Sequence, residues 1–190
     1  MDDEQVQMFV AATNAFGERV HAVDDAQWSA PTPDAEWSVA DLVEHLVHEH
    51  RWAPPLLNGL DFEAAGKVAD SEIVGGNLAQ AWDDAAATSI DAAVADHALE
   101  RTVAISRGDT DARIYLNEMI LDAVVHSWDL ATAIGFADPL SDDLVEYAYL
   151  GVEGAGDLSE SGLFARPVDV PEDASTLEKL VAATGRDPRA

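Results

Sequence analysis

Apolar residues recur along this chain at three- and four-residue steps, the spacing of one face of an α-helix. Val6, Phe9, Val10, Thr13, Phe16, Val20 and Val23 form the first such stripe and predict a helix over about residues 3–23. The next stretch, WSAPTPDAEW at 28–37, has two prolines and no period, so it reads as a loop. Ser38 stands three residues before Asp41, a variant of the capping box, and opens a second helix. Leu42, His45, Leu46, Glu49, Trp52 and Leu56 share one side of it, and Pro54-Pro55 is expected to kink or end it. Residues 58–76, rich in Gly and Asp, read as a connector.

A third helix is predicted over about 77–96, with Leu78, Trp82, Ala85, Ser89 and Ala92 inward. Thr102–Ile105 is short and β-favouring; it reads as an extended connector and not as part of a sheet. Thr110 is the expected cap of a fourth helix over about 111–134, which Gly135 stops as a C′ glycine. Ser141 caps a fifth over about 142–154, with Leu140 and Val145 spaced for a hydrophobic staple. Residues 156–174 look irregular, and Ser175 with Glu178 is a full capping box for a short last helix ending at Gly185. Nothing repeats, and no linker divides two cores. A helical bundle is the simplest way to bury these stripes.

Composition narrows the chemistry. The chain has 190 residues, enough for one domain, and no cysteine, so disulfides, thiolate metal sites and a cysteine nucleophile are excluded. Ten basic residues face 37 acidic ones, a net charge of −27 that repels nucleic acid and anionic membrane. The acids are scattered, in pairs such as Asp24-Asp25, Asp83-Asp84 and Asp142-Asp143. That spread points to a halophilic protein, against the plainer reading of an ordinary acidic surface. The N-terminal MDDEQVQMF has neither signal nor transit character, and no apolar run approaches a membrane span, so a cytoplasmic location is expected.

The candidate chemistry lies on the second and fourth helices. His45 falls on the inward face, where a lone histidine also suits a hydrogen-bonded core position. His48 and His50 point about 60° and 140° away at 100° per residue and are expected at the surface, with His48 able to reach the site's edge. On the fourth helix Asp122 and His126 stand four apart, one above the other, with Glu118 and Asp129 on the same face. The spacing fits a metal site; it fits a solvated polar stripe equally well.

Two segments carry a resemblance. WSVADLVEHLV at 37–47 and DAVVHSWDLATAIG at 122–135 resemble the DinB-like superfamily, in particular the branch that includes mycothiol-dependent maleylpyruvate isomerases and uncharacterised metal-binding proteins. The second matches that branch's (D/E)xxxH-x-W-D-L-x-x-A-x-G segment; RWAPPLL at 51–57 and GRDP at 185–188 also look like it. The resemblance spans nearly the whole chain. It implies an all-α fold, an antiparallel four-helix bundle over residues 1–135 with additional C-terminal helices over 136–190, in a single domain. It implies a divalent metal held by His45, Asp122 and His126, with Asp129 supporting them from behind. The isomerases carry glutamate where this chain has the shorter Asp122.

Two histidines and one carboxylate leave a metal with open coordination, so the expected function is a transferase or isomerase using a metal-activated low-molecular-weight thiol. A metal-binding bundle without turnover (a sensor or partner module), a metal-dependent hydrolase and a plain structural bundle are the alternatives. Zinc is the first choice of metal, with nickel, iron and manganese also suited to such ligands. The expected partners are a small-molecule substrate and thiol, to a monomer or homodimer.

Overall fold

The computed structural model describes residues 3–34, 36–70, 77–153, 157–161 and 164–189. Its helices are α1 (Glu4–His21), α2 (Val39–Leu57), α3 (Phe62–Ala69), α4 (Leu78–Ala93), α5 (Ala112–Ile134), α6 (Asp142–Val152) and α7 (Thr176–Ala183), with strands β1 (Thr102–Ile105) and β2 (Gly108–Asp111) between α4 and α5. The fold is helical apart from this hairpin, as the resemblance implies. α2 packs on α4 and α5, and α1 on α5 and α4, so four helices enclose one core. Phe9 and Phe16 of α1, Leu42, Leu46 and Leu56 of α2, Trp82 of α4 and Leu116, Ile120 and Leu130 of α5 are fully buried in it.

Local chemistry sets the helix starts. Ser38 and Asp41 form a reciprocal capping box on α2, and Ser175 and Glu178 form another on α7. Ser141 caps α6, and Gly135 ends α5 in the left-handed conformation. The predicted end of the fifth helix at 154 lies outside the described residues, as do 71–76 of the predicted connector.

Four expectations need correction. α2 runs through Pro54 and Pro55 and stops at Leu57. Proline's fixed φ is itself helical, so the turn continues although residues 54 and 55 bring no backbone donor, and the helix ends two residues later. The connector contains α3, capped by Asp61, whose side chain accepts from Ala64 N. Residues 102–105 do form a sheet, pairing antiparallel with 108–111 across a two-residue turn. The cap of α5 is Asp111, one residue after Thr110, accepting from Arg113 N. The hairpin therefore feeds directly into α5, the helix that carries Asp122 and His126.

Candidate metal centre

α2 and α5 lie side by side in the bundle, and the inward stripes of the two helices bring His45 to Asp122 and His126. His45 Nε2 lies 3.4 Å from Asp122 Oδ2, and His126 Nε2 lies 3.4 Å from Asp122 Oδ1. One donor atom from each residue falls within 4.8 Å of the other two. Both contacts are long for charge-assisted hydrogen bonds, which close to about 2.7–2.9 Å. They suit a shared ion: bonds of about 2.0–2.1 Å in a tetrahedron separate neighbouring ligands by roughly 3.3–3.4 Å. The donor set thus fits a divalent cation by spacing and by chemistry, being two imidazoles and one carboxylate.

The site is closed on the His126 side and open on the other. The His126 side chain is 7% exposed, whereas those of His45 and Asp122 are 28% exposed. The indole of Trp37 roofs both rings, its centroid 4.7 Å from that of His45 and 5.5 Å from that of His126. Behind His126, Nδ1 is 2.9 Å from Asp129 Oδ2. Asp129 is fully buried and is met by the guanidinium of Arg186. A carboxylate on Nδ1 fixes the ring and aims Nε2 at the metal position.

The electrostatics agree with a set of mutually stabilised charges. Burial alone would lower the His126 imidazole, but Asp122 and Asp129 outweigh it and push it up to about 9. Burial works to raise Asp122, yet His126 and His45 hold it well below the usual carboxylate range. Glu49, one turn beyond His45, is raised by burial and by the charge of Asp122.

The structure therefore brings together the three residues expected as ligands and sets Asp129 behind them. Glu118, on the same predicted stripe, turns outward and pairs with Arg107 of the hairpin turn. His48 is exposed and 2.8 Å from Asp70. His50 corrects the expectation of a surface residue: it is fully buried, with Nδ1 2.8 Å from Ser89 Oγ, and its ring lies between Phe9 and Trp82. A single-face reading of α2 fails because this helix is covered by α3, α4 and α5 together. Periodicity and spacing do not point to Arg186; the sequence signal for it is its place in the GRDP segment.

The comparisons with known proteins agree with this fold. Residues 9–131 match the model of the mycothiol maleylpyruvate isomerase N-terminal domain family. The chain belongs to that family. It is 27% identical over 188 residues to an uncharacterized protein of Mycobacterium tuberculosis, found in two strains, covering 94% of this chain and 95% of the relative. Among solved structures it resembles a histidine-to-alanine mutant of the mycothiol-dependent maleylpyruvate isomerase, with a TM-score of 0.66 and 15% identity over 98% of this chain and 90% of that one. At that identity the likeness shows a shared fold.

Proposed function

We propose that this family member is a divalent-metal-binding transferase or isomerase that uses a low-molecular-weight thiol, with His45, Asp122 and His126 as the metal ligands. The observation that carries the reading is the convergence of one donor atom from each of these residues, across two helices, within 4.8 Å. The similarity to a family named for a mycothiol-dependent isomerase supports the thiol. Zinc suits the ligands best, and nickel, iron or manganese would fit the same donors.

A metal with three protein ligands would supply Lewis acidity and favour the thiolate form of a bound thiol. The chain's own residues do the rest. Asp122 contributes the one negative charge of the donor set. Asp129 holds His126 so that its Nε2 faces inward. Trp37 covers one face of both imidazoles. Glu49, raised by burial and by Asp122, takes up a proton more readily than an ordinary glutamate beside the open side. The chain needs no cysteine for this chemistry and has none. In this reading residues 1–190 act as one unit: the bundle supplies the ligands, and the segment after 135 supplies Arg186 behind them.

Cobalt-substituted protein tests the proposal. A low-molecular-weight thiol should add a strong near-ultraviolet charge-transfer band in the parent protein and none in His126→Ala. Absence of the band at millimolar thiol would remove thiol-dependent transfer and leave a hydrolytic or non-catalytic metal protein.

A further inference from the structure

We propose that Arg186 is a positioning residue for the candidate metal centre: one guanidinium fixes Asp129, and through it the His126 ring, while also pinning the turn that presents Trp37. The inference rests on the metal-site reading for its consequence, but its geometry is independent of any ion.

Arg186 arrives from the far end of the chain. α7 ends at Ala183 with Thr184 as its C-cap, and Gly185 turns the backbone with φ +88°, so that Arg186 N bonds back to Val181 O at 3.0 Å. A Cβ at Gly185 would stand 2.5 Å from Ala165 Cβ, so only glycine allows this approach. The turn sends the Arg186 side chain, 9% exposed, into the bundle. There Nη2 donates to Asp129 Oδ2 at 2.9 Å and Nε reaches both Asp129 oxygens at 3.3 Å. Nη1 donates to Thr184 O at 3.0 Å, which holds the guanidinium plane.

The same Nη2 also donates to Asp34 Oδ2 at 2.9 Å. Asp34 O in turn accepts from Trp37 N at 2.9 Å, closing the turn on which the indole sits. Asp129 Oδ2 is therefore shared, with Arg186 on one side and His126 Nδ1, also at 2.9 Å, on the other. A planar fork can satisfy a buried carboxylate and a second acceptor together, whereas an ammonium on the same stem cannot match both directions. Deleting it would leave Asp129 free to rotate and would release Trp37 from one side of the site.

The test compares Arg186→Ala, Arg186→Lys and, as a control, Arg19→Ala. Arg19 is another buried arginine, bound to Ala15 O and Asp138 O away from the centre. Two quantities are read at one pH and salt: the cobalt dissociation constant by chelator competition, and the ring ¹⁵N–¹H spectrum of His126 in metal-free protein, assigned with His126→Ala. Arg186→Ala should bind cobalt about 10–100-fold more weakly, the usual effect of losing an outer partner of a ligand, with Arg186→Lys between it and the parent. The Nδ1–H signal should shift in both Arg186 variants and stay put in Arg19→Ala. An unchanged ring signal in the Arg186 variants, or an equal loss in Arg19→Ala, would overturn the proposal. If Arg186→Ala does not fold, Arg186→Lys decides alone. If the parent binds no cobalt, the metal reading fails, and the metal-free ring signal still decides whether Arg186 positions His126.

Discussion

His45 Nε2 faces Asp122 Oδ2 across the α2–α5 boundary at 3.4 Å, longer than a charge-assisted hydrogen bond between such groups. The other oxygen of the same carboxylate has the same relation to His126. The carboxylate is thus held symmetrically between two imidazoles, the arrangement that the proposed ligand set requires. It also distinguishes these histidines from His50, which closes to 2.8 Å on its partner.

Purified protein should therefore carry about one divalent ion per chain, the number a single three-residue set can hold. His45→Ala and His126→Ala should each lose most of it. His21→Ala should not, because His21 is exposed and pairs with Asp83 instead. Elemental analysis of the four proteins checks this, and full metal content in both site variants would remove the assignment.

Asp122 separates charge from reach. Asp122→Asn keeps the size but removes the only negative charge in the donor set, so its metal affinity should fall far more than that of Asp122→Glu, which keeps the charge and adds one methylene. Chelator competition reads the order directly. Asn and parent binding equally would place Asp122 outside the ligand sphere.

Most of this architecture is legible in the sequence because it is written in periodicity and caps. α1, α2, α4, α5, α6 and α7 all show apolar stripes or capping residues at their ends. What escaped has a physical reason in each case. Gly66 looks like a breaker within α3, yet a Cβ there would stand 3.1 Å from Trp52 Cη2: the glycine lets α3 lie close on α2. The hairpin was hidden because β2, Gly108–Asp111, has no apolar residue to alternate. At the site, Asp122 and His126 share a helix and could be paired by spacing alone. Arg186 could not, since it reaches Asp129 across 57 residues of sequence and only the folded chain brings them together.

His50 predicts an acid sensitivity separate from the metal. Burial lowers it to about 4 against an ordinary value of 6.5, only partly opposed by Asp122. Ser89 Oγ donates to Ala86 O, so His50 Nδ1 is the donor to Ser89, and Nε2 is buried without a partner. Below its ordinary value the unfolded chain takes up a proton that the folded chain refuses. Stability should thus fall as pH drops from 6.5 toward 4 and level off below, by about 3 kcal/mol in all. His50→Asn can donate to Ser89 and does not titrate. Urea unfolding of metal-free protein at pH near 7 and near 4.5 should show a smaller difference in that variant; an equal difference would mean His50 is not the group responsible.

Salt tests what the charge excess does to the fold. The net charge is −27, and Asp24, Asp25, Asp83, Asp84, Asp142 and Asp143 are all exposed, in three separate parts of the chain. Their mutual repulsion acts over a Debye length of about 10 Å at 0.1 M salt and about 3 Å at 1 M, so most of it is removed within that range. Stability should rise steeply there. A relief of about 3 kcal/mol would raise Tm by roughly 10 °C for a domain of this size. Salt also strengthens apolar burial, but that effect continues beyond 1 M and is shared by excluded osmolytes such as sucrose. Screening is not shared by sucrose. Thermal melts in potassium chloride and in sucrose of matched osmolality separate the two. A steep rise confined to the salt series, flattening near 1 M, is the expected outcome for a halophilic surface. A Tm that is flat with salt, or that climbs equally in sucrose, would show that the acidic residues are ordinary solvated positions whose repulsion the fold already tolerates.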